Sequence, residues 1–254
     1  MTTSSVVLAG PPGDCCFKGV KHSGTAAGKT IEIAGVPTYI SEPPANQDGQ
    51  QKNIILFYAD IYGPFFLNNQ LLQDYFAEHG YLVLGIDYFL GDPVHAHSQE
   101  ADFDRQAWMD KSRANAAKVA PKWLESVREI YGAEAKYSAV GYCFGGPFVL
   151  GLATTDILVA GAFAHPAFLN EDHFKKVTKP LLLSCAEIDH TFPTKSRIRA
   201  EELLVAAKAT YHIQVFSGVS HGFAVRGDPD IENERWAKEE SARGIVGWFN
   251  RFSS

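Results

Sequence analysis

Cysteine and methionine are scarce in this chain, with four cysteines and two methionines among 254 residues. The cysteines are Cys15, Cys16, Cys143 and Cys185; two are adjacent, and none has C-x-x-C or similar metal-like spacing. That excludes a structural zinc site of the sequence-local kind. A chain of this length needs no disulfide framework, so a reducing compartment, with the cytoplasm as the simplest case, is the expected location. Basic charge is not in excess either: 23 Lys and Arg stand against 29 Asp and Glu, giving a net charge of −6. Neither nucleic acid nor an anionic membrane is therefore an expected partner. A long uninterrupted apolar run is also missing. From Ala139 to Leu169 the only formal charge is Asp156, but Gly141, Gly145, Gly146, Pro147, Gly151, Gly161 and Pro166 interrupt the stretch. A strand, a turn, a buried helix and a second strand describe it better than a spanning helix. Met1 to Gly10 has no basic start and no long apolar region, which makes it a poor signal peptide. No internal repeat or low-complexity block is present.

What is present is a large apolar fraction, 46 %, in a pattern that alternates between strand and helix. The composition suits one domain over residues 1–254. Thr30 to Ser41 reads as a hairpin, followed by a polar connector over residues 42–52. Strands are expected at Asn53 to Ala59, Tyr81 to Ile86, Tyr137 to Gly141, Ile157 to Ala164, Pro180 to Ala186 and Tyr211 to Phe216. Helices are expected at Leu67 to His79, Arg113 to Ile130, Phe144 to Thr154, Lys195 to Ala207 and Ile231 to Phe252, with Pro121 a breaker in the second. Such alternation predicts an α/β fold with a mostly parallel central sheet and helices on both faces. Its ligand site belongs at the carboxyl ends of the strands.

Four segments fall there: ADIYG (Ala59 to Gly63), GYCFGG (Gly141 to Gly146), AEIDH (Ala186 to His190) and SHGF (Ser220 to Phe223). The second is G-x-C-x-G between an apolar strand and an apolar helix, the form of a nucleophile elbow. Small residues two places either side of Cys143 allow a sharp turn that projects the side chain and places it at a helix N-terminus, where a thiolate is favoured. The competing reading is a buried cysteine in a Gly-rich turn. A thiolate nucleophile needs a base, and the base an orienting acid. His221 and Asp189 follow in the right order, each just after a strand; Glu187 competes with Asp189 as the acid. The N–H of Phe144 is a candidate oxyanion donor. His165 in AHPAF lies past another strand and is either a pocket residue or a structural histidine before Pro166. Phe103 to Ala120, with Arg105 and Trp108, reads as a lid or as an exposed helix pair. Cys15 and Cys16 are too close in sequence for an unstrained mutual disulfide and are assigned no chemistry.

These segments, with CCFKGVKHSGT (Cys15 to Thr25), IAGVPTYIS and SGVSHGFAVRGD, resemble the dienelactone hydrolase family of α/β-hydrolases, in particular its fungal branch, over nearly the whole chain. The resemblance implies the α/β-hydrolase fold and a cofactor-free, metal-free hydrolase of a small ester or lactone, with Cys143 as nucleophile, His221 as base and Asp189 as its partner. It implies oxyanion donors at the N–H groups of Ile61 and Phe144, and a thiol-modulating role for Asp60, where bacterial members carry the longer Glu. Those members also bind the substrate carboxylate with two arginines. One corresponds to Gly91 here; the other corresponds to Val225, with Arg226 one place on, so Arg226 is a candidate substrate contact and the clamp is incomplete or rebuilt. A glutamine amidotransferase-like thiol enzyme would commonly need His-x-Glu, whereas His221 is followed by Gly222 and Phe223. A redox-sensing or binding protein using Cys143 without turnover is the non-enzymatic alternative. No oligomeric state is predicted.

Overall fold

Along the strand Asn53–Tyr58, Ile54, Leu56 and Tyr58 join one buried cluster while Ile55 and Phe57 join another. A strand that is apolar on both sides needs cover on both sides. The computed structural model describes residues 5–17, 19–44 and 53–253, with the side chain of Cys15 excepted. Most of the expected connector, residues 45–52, lies outside the described residues, as do residues 1–4.

In chain order the strands are β1 (Val7–Ala9), β2 (Lys29–Ile33), β3 (Val36–Ser41), β4 (Asn53–Tyr58), β5 (Leu82–Ile86), β6 (Lys136–Tyr142), β7 (Leu158–Ala164), β8 (Leu169–Asn170), β9 (Leu181–Ile188) and β10 (Tyr211–Ser220). The helices are α1 (Leu67–Glu78), α2 (Arg105–Tyr131), α3 (Gly146–Leu152), α4 (Glu171–Lys175), α5 (Thr194–Ala206), α6 (Phe223–Arg226) and α7 (Glu232–Ser253). Among the described residues the main sheet has eight strands in the order β10-β9-β7-β6-β4-β5-β3-β2. All neighbours from β5 to β10 pair parallel, and the β2–β3 hairpin closes one edge antiparallel. Helices α2 to α5 supply one apolar layer through residues such as Trp123, Val149, Phe174 and Leu204. Helices α1, α6 and α7 supply the other through Phe76, Phe223, Ile245 and Phe249. This is the expected fold class. Among the described residues, no helix is long and apolar enough to cross a membrane.

Two expectations about elements change. The segment Phe103 to Ala120 is not a helix pair, because α2 runs unbroken from Arg105 to Tyr131 with Pro121 inside it. Asp104 caps it by accepting from the Ala107 N–H at 2.9 Å, and Pro121 and Ala117 both lie on the exposed face. The Ala117 carbonyl, which loses its partner to the proline, is thus on the side open to water, so the helix continues. The inward face of α2 carries Trp108, Met109, Ala116, Trp123 and Val127. The second change is β10, which extends to Ser220 rather than ending at Phe216. Its register slips between Phe216 and Ser220, with Gly218 at φ 71°. That bulge carries the chain to the sheet edge where His221 begins.

A short sheet of β1 and β8 had no clear sequence signal. It anchors an N-terminal arm across the carboxyl edge of the main sheet: the Gly10 N–H donates to the Thr191 carbonyl at 2.8 Å, and the Phe168 N–H donates to the Gly10 carbonyl at 2.9 Å.

Candidate active site

Strand β6 ends at Tyr142, and Cys143 takes a φ of 48°, in the left-handed region that a residue with a side chain enters at a cost. The strain is held by close packing. A Cβ on Gly141 would stand 2.6 Å from the Gly145 carbonyl oxygen, and one on Gly145 would run into the Tyr58 carbonyl of β4. Only glycine fits at either place, which is the physical content of the G-x-C-x-G spacing. A 3-10 turn, Cys143–Gly145, follows the cysteine, and α3 starts only at Gly146. The Cys143 side chain is fully buried.

Strands β9 and β10 lie side by side and deliver Asp189 and His221 together. His221 Nδ1 sits 3.0 Å and 3.1 Å from the two carboxylate oxygens of Asp189. The carboxylate also accepts from the N–H groups of Thr191 at 2.9 Å and Phe192 at 3.0 Å. Thr191 Oγ1 lies 2.6 Å from Asp189 Oδ1 and 2.9 Å from His221 Nδ1. Glu187, the competing acid, is exposed and accepts from the Gly218 N–H at 2.7 Å. Burial alone would raise the Asp189 carboxyl; the hydrogen bond and charge of His221, with Thr191 and the Phe192 N–H, draw it down to about 2. Burial alone would lower the His221 imidazole; Asp189, with Cys16 beside it, pushes it up to about 10.

Cys16 was assigned no chemistry, yet the arm places its buried thiol 4.0 Å from Cys143 Sγ. One ligand atom each from Cys16, Cys143 and His221 lies within 4.8 Å of the others. His165 is buried beside them, its ring centre 4.9 Å from that of His221. Burial, reinforced by His221, pushes its imidazole down to about 3, and neither ring nitrogen has a hydrogen-bond partner among the described residues.

Asp60 and Arg226 meet each other. Arg226 Nη1 pairs with Asp60 Oδ2 while its guanidinium stands 4.7 Å over the Tyr62 ring. Asp60 Oδ1 accepts from Asn69 Nδ2 at 2.9 Å and from the Tyr62 N–H at 3.2 Å. Both members are buried, so Arg226 already holds a carboxylate. The N–H groups of Ile61 and Phe144 donate to no loop carbonyl among the described residues. Next to Tyr62 and Phe17 opens a cavity of about 310 Å³ whose other walls include His95, His97, Phe103 and Arg105. Its rim is the start of α2: the Arg105 guanidinium covers the Phe17 ring at 4.3 Å and bonds Asp14 at 2.9 Å.

Sequence reasoning missed Thr191 and Cys16. A hydroxyl two residues past a candidate acid was a local signal for the first. The second had no local signal, because its neighbours are 127 residues away and beyond.

Comparison with known proteins identifies the family. The profile of the dienelactone hydrolase family matches residues 36–253. The chain is 38% identical over 252 residues to Dienlactone hydrolase 1 of Gibberella moniliformis, covering 96% of this chain and 95% of that one. It is 36% identical to Hydrolase pyvD of Aspergillus violaceofuscus, covering 95% and 97%. Among solved structures, a Klebsiella pneumoniae protein assigned as a dienelactone hydrolase superposes with a TM-score of 0.72 at 20% identity, covering 90% of this chain and 99% of that one, a likeness of fold. With the profile running from β3 to α7 and the identity sustained over nearly the full length of both fungal relatives, the chain belongs to the dienelactone hydrolase family and is a hydrolase of that type.

Proposed function

We propose that this chain cleaves a small ester or lactone through Cys143, His221 and Asp189, with a thioacyl intermediate. The observation that carries the reading is the buried Asp189–His221 pair beside a cysteine held at positive φ after a central strand. Cys143 attacks the substrate carbonyl as thiolate. The carbonyl oxygen takes up the electron pair between the N–H groups of Ile61 and Phe144. Collapse expels the leaving oxygen, which takes a proton from the imidazolium of His221. The same imidazole then removes a proton from water, which attacks the thioester and returns Cys143 as thiolate. Asp189 fixes the His221 ring so that Nε2 faces the reacting atoms. A thiolate leaves more easily than an alkoxide, so an unactivated ester tends to be re-formed; an enol lactone, whose leaving group is an enolate that becomes a ketone, avoids that reversal. Relatives that include a carboxymethylenebutenolidase homolog of Xenopus tropicalis, 24% identical, support such a substrate.

The cavity beside Tyr62 and Phe17 is the approach we assign to the substrate. Its basic and aromatic walls replace the two-arginine clamp, and Arg226 acts from behind Tyr62 by holding Asp60. In this reading the chain works as one domain, with no metal or organic cofactor in the cycle, in a reducing compartment such as the cytoplasm that keeps Cys143 a thiol. The test is hydrolysis of p-nitrophenyl acetate and a panel of enol lactones by the wild type and Cys143→Ala. Turnover in the wild type and a fall of roughly a thousandfold or more in the variant is expected. Full activity in the variant would remove Cys143 from the reaction, and no hydrolysis by the wild type would favour a binding or redox role.

A further inference from the structure

Three soft or borderline donors converge at the candidate active site, and hydrolysis requires only two of them. Cys16 Sγ and Cys143 Sγ are 4.0 Å apart. Two sulfurs bound to one tetrahedral zinc, at about 2.3 Å each, stand about 3.8 Å from one another. A disulfide would need them at about 2.05 Å, roughly half the observed separation. A ring nitrogen of His221 completes a cluster in which every ligand atom lies within 4.8 Å of the others. Nε2 of His221 is buried, and the Cys16 sulfur stands against the ring. Its other nitrogen is fixed by Asp189 at 3.0 Å. That is the carboxylate–histidine arrangement that orients an imidazole toward a metal and raises its basicity. Both cysteines are fully buried and His221 is 5% exposed, so a cation here is shielded from competing water. Two thiolates neutralise a divalent charge, and a Cys₂His set leaves one tetrahedral position open.

We propose that Cys16, Cys143 and His221 form a binding site for a thiophilic divalent cation of the zinc class, which silences the hydrolase by occupying its nucleophile and base. The silencing rests on the triad reading above; the binding does not. The thiols ligate as thiolates and the imidazole as the neutral base, their protons passing to solvent. Apart from those exchangeable protons no covalent bond of the protein changes, so removal of the cation lets the thiols and the imidazole take protons back from solvent and restores the enzyme. Ligation gives the thiol of the N-terminal arm a role for which the ester-cleavage cycle has no chemical step.

The test uses the full reduced chain. Equilibrium dialysis against Zn²⁺ should load one ion per chain. Cys16→Ser should bind roughly a hundredfold more weakly, and Asp189→Asn roughly 10- to 100-fold more weakly. Co²⁺ in place of Zn²⁺ should give a thiolate-to-cobalt charge-transfer band in the wild type that weakens in Cys16→Ser. Zinc should stop hydrolysis of p-nitrophenyl acetate by the wild type, a chelator should restore it, and Cys16→Ser should keep turning over at the same zinc concentration. Absence of the cobalt band overturns the site, even if Cys16→Ser does not fold. Zinc uptake unchanged by Cys16→Ser overturns it as well, as does a hydroperoxide-driven Cys16–Cys143 disulfide in a chain that takes up no zinc. Loss of turnover in Cys143→Ala without any zinc uptake sinks the metal site and leaves the triad standing; zinc uptake that requires Cys143, in a chain whose hydrolysis does not, does the reverse.

Discussion

Thr191 joins two larger parts of the site, since its hydroxyl oxygen lies within hydrogen-bond distance of both Asp189 Oδ1 and His221 Nδ1. Thr191→Val keeps the shape and removes that oxygen. A neutral hydrogen bond contributes about 0.5–1.5 kcal/mol, so a fall in kcat of roughly three- to tenfold with a smaller change in KM is expected from steady-state kinetics. Burial of histidines weakens the fold in acid, His22 and His165 among them. Burial holds both His22 and His165 below the ordinary 6.5, His165 at about 3. The unfolded chain therefore binds protons that the folded chain refuses. Stability rises with pH between about 3 and 6.5, and is lost as pH falls through that window, by about 1.4 kcal/mol per pH unit for each such proton. Asp189, drawn down to about 2 from its ordinary 3.8, adds a further loss at the acid end. Urea titrations of His165→Phe across this range should show a shallower acid limb than the wild type; an unchanged limb would mean that His165 is protonated or exposed in the fold. At this scale Cys143, His221 and Asp189 were legible because each follows a strand directly. Cys16 was not, because only the finished fold brings it near them.

Among the elements, the elbow is the least forgiving. Its turn is defined by β4 as much as by its own glycines, since the Tyr58 carbonyl occupies the space a Gly145 side chain would need. Gly145→Ala should destabilise by roughly 1–3 kcal/mol and reduce activity more than stability, because the strain falls next to Cys143; thermal melts and kinetics together check this. The strands and their order of chemistry could be read from continuous apolar runs ended by turns, a signal set by burial on both faces. Helix α2 was read less well. Its first turns are polar outside, and a proline carries no label saying whether the carbonyl it orphans points to water. Trp123, fully buried, ties α2 to the hairpin edge by donating from Nε1 to Thr38 Oγ1 at 2.9 Å. Trp123→Ala should cost about 3–5 kcal/mol, seen as a lower urea midpoint with the elbow chemistry intact.

For the whole molecule, the site is assembled from both ends of the sequence. The N-terminal arm is held to late parts of the chain: Gly10 to Thr191, Val20 to Arg226 at 3.3 Å, and His22 Nε2 to the Gly227 carbonyl at 2.8 Å. Nothing in the local sequence of residues 5–22 announces these partners, which is why the sheet was foreseen and its strap was not. Deleting residues 1–12 should leave the eight-stranded sheet folded, visible as unchanged far-ultraviolet circular dichroism. It should also make Cys143 and Cys16 react faster with iodoacetamide, read by mass spectrometry. Equal alkylation rates would show that the arm does not guard the thiols.

The strap also sets an order of events during synthesis. It is made before the strands it crosses, yet its carbonyl and amide partners lie up to 205 residues later. Until β10 and α6 have emerged and docked, the arm has only its earlier partners, such as β8 and Asn68, and a growing chain carries a nucleophile pocket whose cover is incomplete. The site is therefore complete only once residues 10–22 have closed onto partners made up to 205 residues later.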